Sequence, residues 1–137
     1  MAYKFEQLDV WQISLDYSDL IYEFADKLPE HEKFNLKSQI TRAATSISLN
    51  IAESSTGQSD AEQNRFLGMA IRSLIETVAC QRIVARRKYV TDSTFMDKID
   101  LKSQELAKRL FAFRKALKSS NKPISEEEAV YDTDLFE

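Results

Sequence analysis

The chain has 137 residues, enough for one domain with a real hydrophobic core and too few for two. Hydrophobic residues make up 43% and charged residues 30%, which excludes a disordered chain, and no run of about 18 apolar residues marks a membrane span. The net charge of −3 is unevenly spread: residues 1–33 carry 3 basic and 8 acidic side chains, residues 34–90 carry 8 and 4, residues 91–122 again 8 and 4, and residues 123–137 carry 6 acids and no base. A basic middle between two acidic ends reads either as ordinary solvated helix faces or as a surface for an anionic partner such as nucleic acid. Only 2 Gly and 2 Pro occur, which argues against a turn-rich sheet protein. The start, MAYKFEQLDVWQ, lacks the basic and apolar segments of a signal peptide, and the lone Cys80 has no intramolecular disulfide partner. A cytoplasmic protein is expected.

Four helical segments and no strand are predicted. The first runs from about Leu8 to Leu28 and is stopped by Pro29. Val10, Ile13, Tyr17, Leu20, Ile21, Phe24 and Leu28 form one apolar stripe, while Trp11, Leu15 and Tyr22 form a second, roughly 140° round the helix. A helix in a monomeric bundle needs one apolar face, so the second stripe is expected to be a subunit interface. Gln12, Asp16, Asp19, Glu23 and Asp26 occupy the remaining arc.

The second helix is expected from about Phe34 to Ala52. Its stretch SQITRAATSISLNIAESSTGQS is rich in small polar residues, yet Ile40, Ala43, Ala44, Ile47 and Ile51 recur at the spacing of one helical face. Gln39, Ser46 and Asn50 line one shoulder of that stripe, and Thr41, Thr45 and Ser48 the other. Small side chains let a neighbouring backbone approach, and half-buried Ser or Asn can hydrogen-bond across the contact. The stretch reads as a packing device, with Asn50 expected to be at least half-buried and hydrogen-bonded.

A capping box at Ser59-Asp60-Ala61-Glu62 opens the third helix, which continues to about Tyr89, roughly 45 Å at 1.5 Å per residue. Leu67, Ala70, Ile71, Leu74, Val78 and Ala85 are expected inward. Asp92 or Ser93 caps a fourth helix with Phe95, Ile99, Leu106, Leu110, Phe113 and Leu117 as its stripe. After Lys118 the polar, acidic, Pro-interrupted sequence reads as a flexible tail. The domain expectation is therefore a bundle over 1–118 and an acidic tail over 119–137. Three short connections favour an antiparallel up-down-up-down four-helix bundle.

Nothing in the sequence assembles a catalytic or metal site. The sole His31 lies between Glu30 and Glu32 without further ligands at metal spacing, and it is expected to be an exposed loop residue. Ser46 and Ser48 have no base nearby in sequence. Cys80 reads as a small packing residue. No Gly-rich phosphate loop or nucleophile motif occurs, so no cofactor and no enzymatic activity are expected. The cluster Arg86, Arg87, Lys88, with Arg82 a turn earlier, complements the helix dipole and is also the best candidate for nucleic-acid contact.

The same residues carry a family resemblance. An aromatic-Glu-x-Leu-x-Val-Trp start spans Phe5 to Trp11, and a Leu-Pro-x-x-Glu turn falls on Leu28, Pro29 and Glu32. A long run falls on Leu36, Gln39, Ile40, Arg42, Ala43, Ser46, Ile47, Asn50, Ile51, Ala52 and Glu53. A further run falls on Phe66, Leu67, Ala70, Ser73, Leu74 and Glu76. Over roughly residues 5–118 the chain resembles the 23S rRNA intervening-sequence protein family, also called four-helix-bundle protein. Ser54 and Arg72 stand where that family usually has Gly.

The resemblance implies a helical bundle that assembles into a ring, commonly a homopentamer. Distant relatives act in diversity-generating retroelements, where a basic pentamer engages nucleic acid and a reverse transcriptase. The expectation is a non-enzymatic homo-oligomer whose partner is RNA or an RNA-associated protein, with no membrane role. Two alternatives stay open: an RNA-processing enzyme whose site forms between subunits, or a structural ring with a protein partner bound through the acidic tail.

Overall fold

In the computed structural model, the structure describes residues 3–56 and 59–118. They form four helices, α1 Asp9–Ala25, α2 Leu36–Ser54, α3 Asp60–Arg87 and α4 Ser93–Lys118, with 3-10 turns at Lys4–Gln7 and Glu30–Glu32. No strand occurs among the described residues. The expected tail over 119–137 lies outside them.

Local chemistry sets the helix ends. After Ala25 the chain tightens into turns in which Lys27 N–H donates to the Phe24 carbonyl and Leu28 N–H to the Ala25 carbonyl, both at 3.1 Å. Helix α1 therefore ends three residues before the expected Leu28, and Pro29 begins the next turn extended, at φ −66° and ψ 155°. The Ser59 hydroxyl accepts the Glu62 N–H at 3.1 Å, which satisfies one orphan donor of α3. At the start of α4 the Asp92 carboxylate accepts the Phe95 N–H at 3.1 Å, so Asp92 rather than Ser93 supplies the cap.

The C-terminus of α3 ends on Lys88 in the left-handed region, φ 60° and ψ 29°, with Tyr89 N–H returning to the Val84 carbonyl. Glycine takes that conformation without a side-chain penalty, whereas lysine does not. Lys88→Gly is therefore expected to stabilise the fold by up to about 1 kcal/mol, the left-handed strain relieved less the freedom glycine adds to the unfolded chain, read as a higher midpoint in urea with an unchanged slope.

Helix α1 packs on α2 and α4, and α3 packs on the same two, so α1 and α3 stand on opposite sides of one core. Ile21 and Phe24 of α1, Ile47 and Ile51 of α2, Leu67 and Leu74 of α3, and Leu106 and Leu110 of α4 are fully buried in it. The most extensive contact is α2 on α3, where Ala43 and Ala44 are buried and Ser46 and Ser73 half-buried. Small residues there keep the two backbones close.

The inward face of α3 differs from the expected one. Ala85 is exposed and Val78 only half-buried, while Thr77, Cys80, Gln81 and Val84 face inward. The helix is rotated so that two polar side chains reach a buried tyrosine.

Candidate functional surfaces

Tyr17 is fully buried beneath α3. Gln81 donates through Nε2 to the Tyr17 hydroxyl at 2.8 Å. The Tyr17 and Thr77 hydroxyls lie 2.7 Å apart, and Thr77 donates onward to the Leu74 carbonyl at 2.6 Å. Thr77 has one hydrogen, so Tyr17 must be the donor in the pair between them. The chain runs in one direction from amide to carbonyl, leaving no polar group of the three side chains' contact unsatisfied. Burial pushes the Tyr17 phenol up to about 12, against the opposing pull of its bonds to Thr77 and Gln81. An apolar-only reading of periodicity misses this set. The available signal was Thr77 and Gln81 at i and i+4, on the side of α3 that carries Leu74.

A second chain lies along the contact of α2 and α3. Ser73 donates to the Ser46 hydroxyl at 2.9 Å, and Asn50 donates through Nδ2 to the Ser46 carbonyl at 2.9 Å and hydroxyl at 3.0 Å. Asn50 is half-buried and bonded, within its own helix. The other motif residues, Gln39, Arg42, Glu53 and Glu76, are exposed. They line two adjoining hollows that share Arg42 and Ser46. One, of about 430 Å³, includes Gln39, Ser73 and Glu76; the other, of about 620 Å³, includes Asn50, Glu53, Leu49 and Tyr22. The motif thus has a packing half and a solvent-facing half, and periodicity alone disclosed the first.

The second stripe of α1 is partly covered within the chain. Trp11 is half-buried, its ring 4.9 Å from that of Phe5 at 72° between planes, because the 3-10 turn at Lys4–Gln7 folds Phe5 back over it. Leu15 is half-buried. Tyr22 is 47% exposed and bonds Thr45 of α2 at 3.1 Å. Of the three, Tyr22 presents the most surface to a neighbour.

At the far end of α3, Arg82 is engaged by Asp100 of α4 at 3.0 and 3.3 Å, which sets it apart from the basic cluster. Arg86 and Arg87 border a hollow of about 540 Å³ with Ile83 and Tyr89, and Lys88 is exposed beside them. Tyr89 donates to the Glu32 carboxylate at 3.0 Å, while Asn35 donates to its other oxygen at 2.9 Å. The bond from Asn35, then that from Tyr89, hold the Glu32 carboxyl below its usual range, and the Glu32 carboxylate pushes the Tyr89 phenol up. His31 is exposed as expected, yet it is not idle: its Nε2 lies 3.1 Å from the Tyr89 hydroxyl. Since Tyr89 spends its hydrogen on Glu32, His31 is the donor.

Cys80 is buried, and burial pushes its thiol up, away from the reactive thiolate. Among the described residues no group of three or more His, Cys, Asp or Glu is placed to hold a metal ion, and no helix is long and apolar enough to cross a membrane.

Fold and surfaces together define an all-α four-helix protein with polar chains spent on packing and charged faces turned outward. The chain belongs to the 23S rRNA-intervening sequence protein family, whose sequence model matches residues 6–121. It is similar to a crystal structure at 1.70 Å of a protein of unknown function from the S23 ribosomal protein family of Bacteroides thetaiotaomicron. The two are 30% identical with a TM-score of 0.69, over 77% of this chain and 95% of that one. No curated protein matched the chain.

Proposed function

We propose that this protein is a non-enzymatic, cytoplasmic interaction protein. It assembles with itself into the pentameric ring that the family resemblance implies, and it engages RNA or an RNA-associated protein through its basic end. The bundle runs up-down-up-down. Residue pairs support that sense: Tyr22 with Thr45 and Asp26 with Lys37, Asn64 with Arg114 and Arg82 with Asp100, Asp9 with Arg109 and Lys27 with Phe95.

The carrying observation is the exposed group Arg86, Arg87 and Lys88, the two arginines bordering an open hollow, with no carboxylate in ion-pair distance among the described residues. A ring repeats such a cluster by copy number and turns weak phosphate contacts into avidity. The names of this family and of the Bacteroides neighbour's family mention ribosomal RNA and the ribosome, and RNA is accordingly the polyanion to test first.

Filter binding of single-stranded RNA at low salt tests the reading. Binding is expected to be indifferent to base sequence and to fall steeply with salt. Removing residues 123–137 deletes 6 acids and no base and should tighten it. Replacing Arg86, Arg87 and Lys88 by Ala should weaken it and lower the salt slope by about 3. No binding by the shortened protein would refute the RNA role and leave a protein partner as the alternative.

A further inference from the structure

The outer faces of α1 and α3 carry opposite charge on opposite sides of the molecule. Helix α1 holds four acids and no base. Asp16, Asp19 and Glu23 are exposed and reach no cation among the described residues. Glu23 also sits in the last turn of α1, which has no basic residue, where the helix dipole disfavours an anion. The isolated molecule gains nothing from that placement.

On α3, Arg65 and Arg72 are exposed, with no carboxylate partner among the described residues, Arg65 resting 4.6 Å from the Phe66 ring centre. Glu62 and Glu76 are the acids of α3 on that side, against the exposed Arg65 and Arg72. Between and beyond the arginines, Met69, Ile75 and Ile83 are 40%, 54% and 41% exposed. These apolar side chains lie on one arc of the helix at 100° per residue, and the core of the chain does not use them. Beside the acids of α1 lies the half-exposed Tyr22.

The geometry points to a head-to-tail subunit interface in which the acidic face of α1 on one copy docks on the basic, apolar face of α3 on the next. This rests on the homo-oligomer reading above and names its contact. Neither face can pair with itself, because like charges would meet, so a two-fold dimer through either is disfavoured. A contact between two different faces continues from copy to copy and closes into a ring when the rotation allows. The spacing agrees: Asp16 to Glu23 and Arg65 to Arg72 each span seven residues, about 10 Å of helix. The acidic start and basic middle of the sequence become two halves of one contact.

Native mass by light scattering, with circular dichroism on each sample, tests this on the full chain. Asp19→Lys with Glu23→Lys is expected to need about 100-fold more protein to assemble, and so is Arg65→Glu with Arg72→Glu. All four substitutions in one chain exchange the two signs and should restore assembly. Should a reversal unfold the chain, Asp19→Asn with Glu23→Gln should shift assembly the same way by a smaller factor. A monomeric wild type would overturn the homo-oligomer reading itself. An oligomeric wild type whose mass survives both reversals would overturn this interface alone.

Discussion

Tyr17→Phe is expected to destabilise the protein by about 1–3 kcal/mol, as a lower urea midpoint. The ring still fills its place, so the loss is the hydroxyl. Without it, Gln81 and Thr77, 3% and 0% exposed, keep polar groups whose partner is gone, and a buried unsatisfied group costs about that much. The phenol also gives the fold a pH dependence of known sign. Its folded value of about 12 lies above the ordinary 10.0. The neutral form is therefore favoured by folding, and that stability is fully present below pH 10 and lost as pH rises through about 12. Two units correspond to roughly 3 kcal/mol. Wild type should thus weaken steeply across that window, whereas Tyr17→Phe should lack this component. Parallel alkaline profiles for the two proteins would contradict the assignment.

Ala43→Leu is expected to cost about 1–3 kcal/mol by overpacking, with helical content retained below the transition. Ala43 is 3% exposed at the contact of α2 with α3, beside Ser46 and Ser73. A leucine adds three carbons where the backbones are closest, so it must separate the helices or leave its rotamer. Separation would also break the 2.9 Å bond from Ser73 to Ser46. Urea unfolding measures the cost, and a neutral leucine would mean that the small residues of α2 are not there for close approach.

The helices were legible because stripes such as Ile40, Ala44, Ile47 and Ile51 repeat at the helical period, and because Pro29, Ser59 and Asp92 mark turns and ends by local chemistry. Less legible was anything settled by a distant partner. Val78 and Ala85 are apolar and near the right period, but Tyr17 recruits Thr77 and Gln81 from more than 60 positions away at its farthest, and α3 turns to meet it. Helix α2 starts two residues later than periodicity placed it because the turn at Glu30–Glu32 carries the chain to Leu36. The burial of Trp11 likewise depends on Phe5 folding back, a choice made by a 3-10 turn that periodicity does not register. Motif spacing found the residues of the α2 and α3 surface. It could not separate Ser46, bonded to Ser73 of the neighbouring helix, from Arg42 and Glu53, which face water.

Several hydroxyls along α2 and at its C-terminal cap have already spent their hydrogens at home. Thr41 donates to the Lys37 carbonyl, Thr45 to Thr41, Ser54 to Ile51 and Ser55 to Ala52. Such hydroxyls still accept from water but have no hydrogen left to offer it, so on this helix a partner seeking donors finds them at Arg42 rather than along the Thr edge. Exchanges of Ser or Thr for Ala along the exposed edge of this helix should therefore pass almost unnoticed in stability.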